Sequence, residues 1–278
     1  MSTTHETLSF QHYADGKLEP VSAPVIAEAA VALTVNGQPW IEFLCTPTDL
    51  GALAVGFLFN ENLIQSRTDL ASVHLCASGD QVEIWTQHPL VKPLVWRRTS
   101  GCGGGTTAQP IPFPAPIPEN STLTSGYAQT NNILSDADEF RVDPAALTLL
   151  MHELVSAQKL YRQARGVHSA AVSDGESLFL QVEDIGRHNT LDKIAGRLLL
   201  EAPALPPRIL LTTGRISSEM LQKTRRIGAQ VIVSHTSPTT LSVRLADQAG
   251  ITLVGYARNG QMNIYTHVER ILINESGE

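Results

Sequence analysis

The sequence predicts an α/β protein in which a mostly antiparallel β region precedes a layered α/β domain. In the first hundred residues, short apolar runs are separated by turn signals, as expected for paired strands. After residue 143, strand-like runs alternate with helical stretches, which is typical of helices packed on a sheet. The chain has 278 residues, 42% of them hydrophobic and only 5% aromatic. This length and composition allow substantial cores and favour helices on a sheet over an aromatic-rich sandwich.

The N-terminal region contains two predicted hairpins with a helix between them. Apolar runs at 25–35 and 40–46 flank Asn36-Gly37, a strong hairpin signal. Thr46-Pro47 then predicts a helix N-cap followed by proline at the first helical position. Behind it, apolar residues recur at helical spacing: Leu50, Leu53, Ala54, Phe57 and Leu58. The second hairpin is predicted from the runs 73–77 and 81–87.

A long irregular connection is predicted between residues 89 and 132. Glycine and threonine are frequent there, and residues 110–118 are rich in proline. Long connections inside compact proteins are usually functional or disordered. We therefore divide the chain into a β-rich region over 1–109, a proline-rich connection over 110–142 and an α/β domain over 143–278.

The α/β domain begins with Asp143-Pro144, a second cap-and-proline signal. Leu147, Leu150, Met151, Leu154 and Tyr161 mark one face of the predicted helix. Strand-like runs follow at 168–172, 178–182, 209–213, 231–234 and 252–257. Helices are predicted between the later runs, near 191–199, 217–227 and 239–249. This alternation predicts a layered domain.

Charge and cysteine content narrow the possible classes of protein. The formal net charge of −7 gives no support to a general binder of nucleic acid or anionic membranes. No apolar run approaches the roughly 20 residues that cross a bilayer, and residues 1–12 do not resemble a signal peptide. The three cysteines are far apart, and no histidine lies at metal-ligand spacing from another. We expect a cytoplasmic protein without a disulfide framework or a metal site.

Cys102 is the candidate reactive residue. It lies in Arg97-Arg98-Thr99-Ser100-Gly101-Cys102-Gly103-Gly104-Gly105, where glycines leave the sulfur with little steric cover. Nearby guanidinium groups favour the thiolate, which is the nucleophilic form. Such a sulfur can attack, be attacked or carry an extra sulfur atom as a persulfide. An idle cysteine in a flexible loop is the alternative interpretation.

The other two cysteines are predicted to be core residues. Cys45 and Cys76 each end an apolar run, and free cysteine commonly behaves as a small buried hydrophobe.

Two strand-to-helix turns and one hairpin turn are candidate ligand sites. The segments 184–189 and 212–218 each carry glycine, arginine and capping side chains before a helix, where free N–H groups favour anions. Capping alone explains their serine and asparagine residues equally well. The third segment is Tyr256, Ala257, Arg258, Asn259, Gly260 and Gln261. Taken alone, it predicts a tight Asn-Gly turn.

Together these segments resemble the formate dehydrogenase accessory sulfurtransferase family, also called FdhD, over nearly the whole chain. The strongest stretches are Thr46-Pro47, Gly56-Phe57-Leu58, the Cys102 loop, and residues 166–171, 183–193, 212–220 and 255–266. The resemblance implies a sulfur carrier, in which Cys102 receives persulfide sulfur from a cysteine desulfurase. The sulfur would pass to the bis-guanine-dinucleotide molybdenum cofactor before its insertion into formate dehydrogenase.

The resemblance also assigns cofactor binding to Tyr256, Ala257, Arg258, Asn259, Gly260 and Gln261, and gives both arginine-bearing helix starts an anionic partner. It implies a homodimer and, for the larger domain, a fold like that of cytidine deaminase. One departure concerns the loop, because many members have Cys-x-x-Cys where this chain has Gly105. Transfer through one persulfide survives this change, whereas a mechanism that needs a resolving cysteine in the loop does not.

Two rival functions stay open at this point. The first is a chaperone that delivers the molybdenum cofactor without sulfur chemistry. The second is a nucleotide-modifying enzyme of the deaminase fold, which requires His-x-Glu followed by Pro-Cys-x-x-Cys. The chain has His-x-Glu only at His267-Val268-Glu269, with no cysteine pair after it.

Overall fold

The computed structural model describes residues 3–94, 97–98, 106–107 and 140–272. The described residues form a four-stranded sheet and a six-stranded sheet with helices between them. Two further strand pairs are a long hairpin of ten-residue strands and a short pair of two-residue strands, β7 (Arg97–Arg98) and β8 (Thr106–Thr107). The predicted α/β class, with a β-rich region before a layered α/β domain, is confirmed.

The N-terminal region consists of strands around one helix. Its elements are β1 (His5–Ala14), β2 (Lys17–Ile26), β3 (Ala29–Val35), β4 (Gln38–Cys45), α1 (Leu50–Asn60), a short 3-10 helix (Arg67–Asp69), β5 (Leu70–Leu75) and β6 (Gln81–Thr86). Strands β1 and β2 form a separate hairpin that the sequence did not predict. The other four strands form a sheet in the order β4-β3-β6-β5, antiparallel except for the β3–β6 pair. At the β3–β4 turn, Asn36 and Gly37 have φ of 49° and 76°, as the predicted two-residue hairpin turn requires.

Helix α1 begins later than the sequence predicts. Its N-cap is Asp49, so the assignment of Thr46 as the cap was wrong. The physical reason is that Thr46 is buried against the second half of the chain. Its backbone N–H donates to Asp184 Oδ2 at 3.1 Å, and its hydroxyl oxygen accepts from the backbone N–H of Ile185.

The C-terminal part is a sheet with helices on both faces. Its elements are α2 (Pro144–Ser156), α3 (Leu160–Ala164), β9 (His168–Ser173), β10 (Leu178–Asp184), α4 (Arg187–Glu201), β11 (Ile209–Thr212), α5 (Ser218–Ile227), β12 (Val231–Ser234), α6 (Thr240–Gln248), β13 (Thr252–Arg258), β14 (Gln261–Ile264) and a short 3-10 helix (Val268–Arg270). Tyr161 belongs to the separate helix α3, so its predicted place on the first helix was wrong. The predicted cap Asp143 is confirmed, since its side chain accepts from the Ala145 N–H at 2.7 Å. The strand order is β10-β9-β11-β12-β13-β14.

The helices and sheets form layers, and each layer packs its apolar face against the next in a shared hydrophobic core. Helix α2 covers one face of the six-stranded sheet through Leu147, Leu150 and Leu154. Helices α4, α5 and α6 cover the other face. Helix α1 packs between α4 and the four-stranded sheet, and Phe59 at its end contacts both neighbouring cores. The N-terminal region therefore packs against the α/β domain through the contact between helices α1 and α4.

Helices α1 and α4 approach each other so closely that backbone touches backbone. A Cβ atom added at Gly56 would lie 1.7 Å from the Asp192 carbonyl oxygen, and one added at Gly196 would lie 1.9 Å from that of Ala52. We expect Gly56→Ala to lower the free energy of unfolding by roughly 1–3 kcal/mol, because the helices must move apart. Denaturant unfolding measures this.

Gly51 provides a matched control in the same helix. A Cβ there would meet only Val73 Cγ1, at 3.4 Å. Gly51→Ala should therefore show the helix-propensity gain, a stabilisation of about 0.5–1 kcal/mol. Equal effects of the two substitutions would contradict a backbone contact at Gly56.

Candidate functional site

The segments that the sequence singled out meet at one edge of the six-stranded sheet. Strands β11, β12 and β13 are parallel to one another, and β9 is antiparallel to both β10 and β11. The carboxyl ends of β10, β11, β12 and β13 therefore lie at the same edge as the start of β9. Ligands of open α/β sheets bind outside such an edge.

The two arginine-bearing helix starts are brought together there. Helices α4 and α5 follow β10 and β11, so both N-termini face this edge. In the second turn, a Cβ added at Gly214 would lie 2.9 Å from Arg187 Cβ and 3.5 Å from His168 Nδ1. His188 Nε2 lies 3.4 Å from the hydroxyl oxygen of Ser217, the N-cap of α5. The two predicted anion-favouring turns thus lie next to each other.

Basic side chains surround these helix starts. We call His168, Arg187, His188, Arg215 and Lys223 the basic cluster. His188 is only 5% exposed, and its pKa lies well below 6.5, first because of burial and then because of Lys223, Arg187, His168 and Arg215. Burial, followed by Arg187, also lowers the pKa of His168. The positive potential that disfavours imidazolium here would stabilise a bound anion, as would both helix dipoles.

A buried ion pair holds the start of α4 against the N-terminal region. Lys193 Nζ lies 2.6 Å from Asp184 Oδ2, and both side chains are fully buried. Lys193 also donates to the Thr46 carbonyl oxygen at 3.1 Å and to Thr48 Oγ1 at 3.0 Å. Asp184 Oδ1 accepts from the Gly186 N–H and the Asn189 side chain. Groups from both halves of the chain therefore form hydrogen bonds with the two charged side chains, and these bonds hold Thr46 and Thr48 beside this edge of the sheet.

A second buried pair joins α1, α4 and α5. Lys223 Nζ donates to Asp192 Oδ1 at 2.6 Å, and Asn60 donates to the same oxygen at 2.8 Å. The sequence reasoning missed this pair. The available signal was the position of Asp192 beside the apolar stripe of the predicted helix, since buried charged residues are rare without partners.

The base of the Cys102 loop is anchored beside this pair. Cys102 itself lies outside the described residues, but the strands that flank it are described: β7 (Arg97–Arg98) pairs antiparallel with β8 (Thr106–Thr107). Thr107 Oγ1, which is buried, donates to Glu61 Oε2 at 2.9 Å. Glu61 directly follows α1.

Helix α1 runs antiparallel to α4, which fixes where the loop base lies. Gly196 faces Ala52, whereas Asn60 bonds Asp192 in the first turns of α4. The end of α1 is therefore at the α4 N-terminus, and the base of the loop lies on the same side as the basic cluster.

The segment of Tyr256, Ala257, Arg258, Asn259, Gly260 and Gln261 forms a strand-linked turn. Arg258 pairs with Gln261, and Asn259 and Gly260 have φ of 52° and 74°, so the tight Asn-Gly turn predicted from the residues is confirmed. Ala257 is buried, and the other five residues are exposed. The turn ends β13, two strands or roughly 10 Å from β11.

Tyr256 has a backbone conformation unusual for its type. Its φ is 53°, its N–H donates to the Thr236 carbonyl oxygen at 3.0 Å, and its side chain is 41% exposed. A bulky residue with positive φ is a conformational outlier, and such outliers cluster at functional sites. The bulge turns an aromatic ring outward at the sheet edge.

The two described cysteines differ from each other. Cys45 is fully buried, as predicted, and burial together with Asp184 raises the pKa of its thiol to about 12. The core assignment of Cys76 was wrong, because it lies half-buried at a hairpin turn. Its sulfur accepts from the Gln81 N–H and donates to Asp80 Oδ1, both at 3.1 Å, so local hydrogen bonds hold it outside the core.

Within the described part of the chain, no group of three His, Cys, Asp or Glu residues is placed to hold a metal ion. None of the described helices is both long and apolar enough to cross a membrane.

A family profile, two curated relatives and a solved structure all relate this chain to the same group of proteins. The profile of the FdhD/NarQ family matches residues 26–272. Proteins named "Sulfur carrier protein FdhD" from Staphylococcus aureus strains RF122 and JH9 are each 34% identical over 266 residues, covering 95% of both chains. The crystal structure of a formate dehydrogenase accessory protein from Desulfotalea psychrophila covers 97% of this chain and 100% of its own, with a TM-score of 0.74 and 23% identity. At that identity, the structural likeness shows the fold alone.

Proposed function

Because the chain belongs to the FdhD/NarQ family, we propose that it is a sulfurtransferase that carries sulfur to a molybdenum cofactor. Cys102 accepts sulfur from a cysteine desulfurase and holds it as a persulfide. The sulfur then passes to the bis-guanine-dinucleotide molybdenum cofactor, the cargo, before that cofactor enters formate dehydrogenase. The names of the relatives support the carrier role.

The observation that carries the proposal is the position of the loop base. Strands β7 and β8 flank residues 99–105, and a hydrogen bond from Thr107 joins this strand pair to Glu61 at the end of α1, beside the first turns of α4. Two members of the basic cluster, Arg187 and His188, lie in the same turns. A chain that must bring a sulfur atom to a phosphate-bearing cargo needs the reactive loop and an anion site on one side of the molecule, and this arrangement meets that need.

The basic cluster and the Tyr256 turn bind different parts of the cargo. The helix starts of α4 and α5 bind phosphate oxygens, because the positive ends of their helix dipoles and the nearby guanidinium groups are matched to anions. The outward-facing ring of Tyr256 can stack on a base, and the exposed Arg258 can pair with a second phosphate. A dinucleotide is long enough to contact both.

Two transfers complete the reaction. In the first, the Cys102 thiolate attacks the terminal sulfur of the donor persulfide, a new S–S bond forms, and the donor cysteine leaves as thiolate with the electron pair of the broken bond. In the second, the terminal sulfur bonds to molybdenum as the Cys102 S–S bond breaks. The bonding pair stays on Cys102, the S–H proton is lost, and reduced molybdenum supplies the two electrons that convert the sulfur to sulfide.

The environment of Cys45 supports Cys102 as the carrier. Cys45 is protonated at neutral pH and buried, and thiols in that state are poor nucleophiles. Gly105 in place of a second loop cysteine means that the persulfide is released to its acceptor without a resolving thiol in the loop.

The carrier step is tested by mass spectrometry after incubation with a cysteine desulfurase and cysteine, without reductant. We expect the Cys102 peptide to gain one sulfur atom and the Cys45 and Cys76 peptides to gain none. An unmodified Cys102 peptide, with a desulfurase shown to be active, would contradict the single-cysteine mechanism. It would favour a chaperone that delivers the cofactor without sulfur chemistry.

The remaining partners belong to the same proposal. We propose that the protein acts in the cytoplasm, binds formate dehydrogenase and the desulfurase in turn, and forms a homodimer. Sedimentation equilibrium tests the dimer directly, because a monomer mass at micromolar concentration would contradict it.

A further inference from the structure

Glu219 carries a buried carboxylate oxygen with no hydrogen-bond partner. It lies in the first turn of α5 and is 8% exposed. Its Oε2 atom is buried and receives no hydrogen bond from any described residue. Lys223, four residues along the helix and the expected partner, donates to Asp192 instead. An unsatisfied buried oxygen is costly, so this position suits a hydrogen-bond donor supplied by a ligand.

Helical periodicity places Glu219 on the face of α5 that contacts α4 and α1. Residues four and seven positions apart share a helix face, so Glu219 lies with Lys223 and Arg226. On that face Lys223 reaches Asp192 of α4, and Arg226 reaches the Phe59 carbonyl oxygen of α1 at 3.0 Å. Glu219 lies one turn nearer the sheet edge than Lys223, as His188 lies one turn before Asp192. Along the helix axis, its side chain therefore lies at the same height as the N-terminus of α4, where the basic cluster is.

The surroundings of Glu219 determine which kind of hydrogen-bond donor would fit against its carboxylate. The basic cluster would repel a metal cation, and the described residues contain no group of three His, Cys, Asp or Glu side chains placed to hold one. A neutral N–H group meets no such repulsion. The ligand that fits is thus one whose anionic part contacts the basic cluster and whose neutral part presents N–H donors to a carboxylate.

Among nucleotides, guanine meets this requirement. Its N1–H and N2 amino group are adjacent donors that match the two oxygens of a carboxylate, whereas the Watson–Crick edge of adenine alternates a donor with an acceptor. We propose that Glu219 accepts hydrogen bonds from N1–H and the N2 amino group of a guanine of the cargo and so determines its base specificity. This inference rests on the proposed function and deepens it, because it names a residue that reads the base.

Glu219→Gln tests the inference by exchanging the preferred base. Xanthosine diphosphate differs from guanosine diphosphate by an oxygen in place of the N2 amino group. The glutamine amide can donate to that oxygen and still accept from N1–H. By calorimetry, we expect the wild-type protein to bind guanosine diphosphate at least roughly tenfold more tightly than xanthosine diphosphate, and Glu219→Gln to reverse the order.

Two controls separate the possible outcomes. Inorganic pyrophosphate should bind Glu219→Gln at least as tightly as wild type, because one negative charge is removed, and this result shows that the variant is folded with its basic cluster intact. Glu153→Gln, an exposed substitution on α2, should keep the wild-type preference. An unchanged preference in Glu219→Gln would overturn the inference and leave the proposed function standing. Failure of wild type to bind guanosine diphosphate would overturn the cargo-binding part of the proposed function as well.

Discussion

Replacing Cys102 by alanine is expected to abolish delivery of sulfur, so that formate dehydrogenase matured with this variant has no more activity than enzyme matured without the protein. Alanine cannot form an S–S bond, and neither Cys45 nor Cys76 lies in the loop whose base is tied to Glu61. The measurement is formate oxidation by a client enzyme produced in cells that lack their own accessory protein and carry the variant. Cys76→Ala is the matched control and should restore full activity.

The same experiment discriminates the two leading functions. A chaperone without sulfur chemistry would keep the client active with Cys102→Ala, since the cargo binding that we propose uses the basic cluster and the Tyr256 turn rather than the thiol. Client activity near the wild-type level would therefore refute sulfur transfer through Cys102. Addition of a second loop cysteine by Gly105→Cys should leave activity intact if one persulfide is sufficient.

Lys193→Met is expected to lower the free energy of unfolding by about 3–5 kcal/mol, because it leaves the fully buried Asp184 carboxylate without its cation. Methionine keeps most of the volume, so loss of the charge dominates the effect. Urea denaturation monitored by circular dichroism measures it.

A surface ion pair in the same helix supplies the control. Arg197 Nε lies 2.6 Å from Glu201 Oε1, with both side chains partly exposed. Arg197→Met should therefore cost at most about 0.5 kcal/mol. Asp184→Asn combined with Lys193→Met should recover part of the lost stability, because the unpaired charge is then gone. A cost for Lys193→Met no larger than that for Arg197→Met would contradict the role of the buried pair.

Local patterns in the sequence predicted most of the fold. The strand of Val231–Ser234 and the Asn36-Gly37 and Asn259-Gly260 turns were predicted as they occur, because short-range sterics and side-chain periodicity determine them. The hairpin β1–β2 was missed because its strands are exposed on both faces over most of their length and so lack a strong apolar alternation.

Long-range contacts account for what the sequence could not predict. Thr46 has the residue type of a helix cap, yet its oxygen and N–H are used by a segment 139 positions further along the chain. The prediction for Cys76 failed for a related reason. An apolar run precedes it, but the turn that follows supplies polar partners for its sulfur. The candidate ligand segments were found from their residue types, whereas their convergence at one edge depends on strand order.

The buried pair of Asp184 and Lys193 has a consequence for how the protein can be divided. Thr46 and Thr48 supply hydrogen-bond partners from the first half, and Phe59 at the end of α1 packs against the cores of both halves. Neither half completes its interior alone. A polypeptide interrupted between residues 107 and 140 would therefore be recovered as two fragments that associate and unfold together, and expression of either fragment by itself would yield aggregated material.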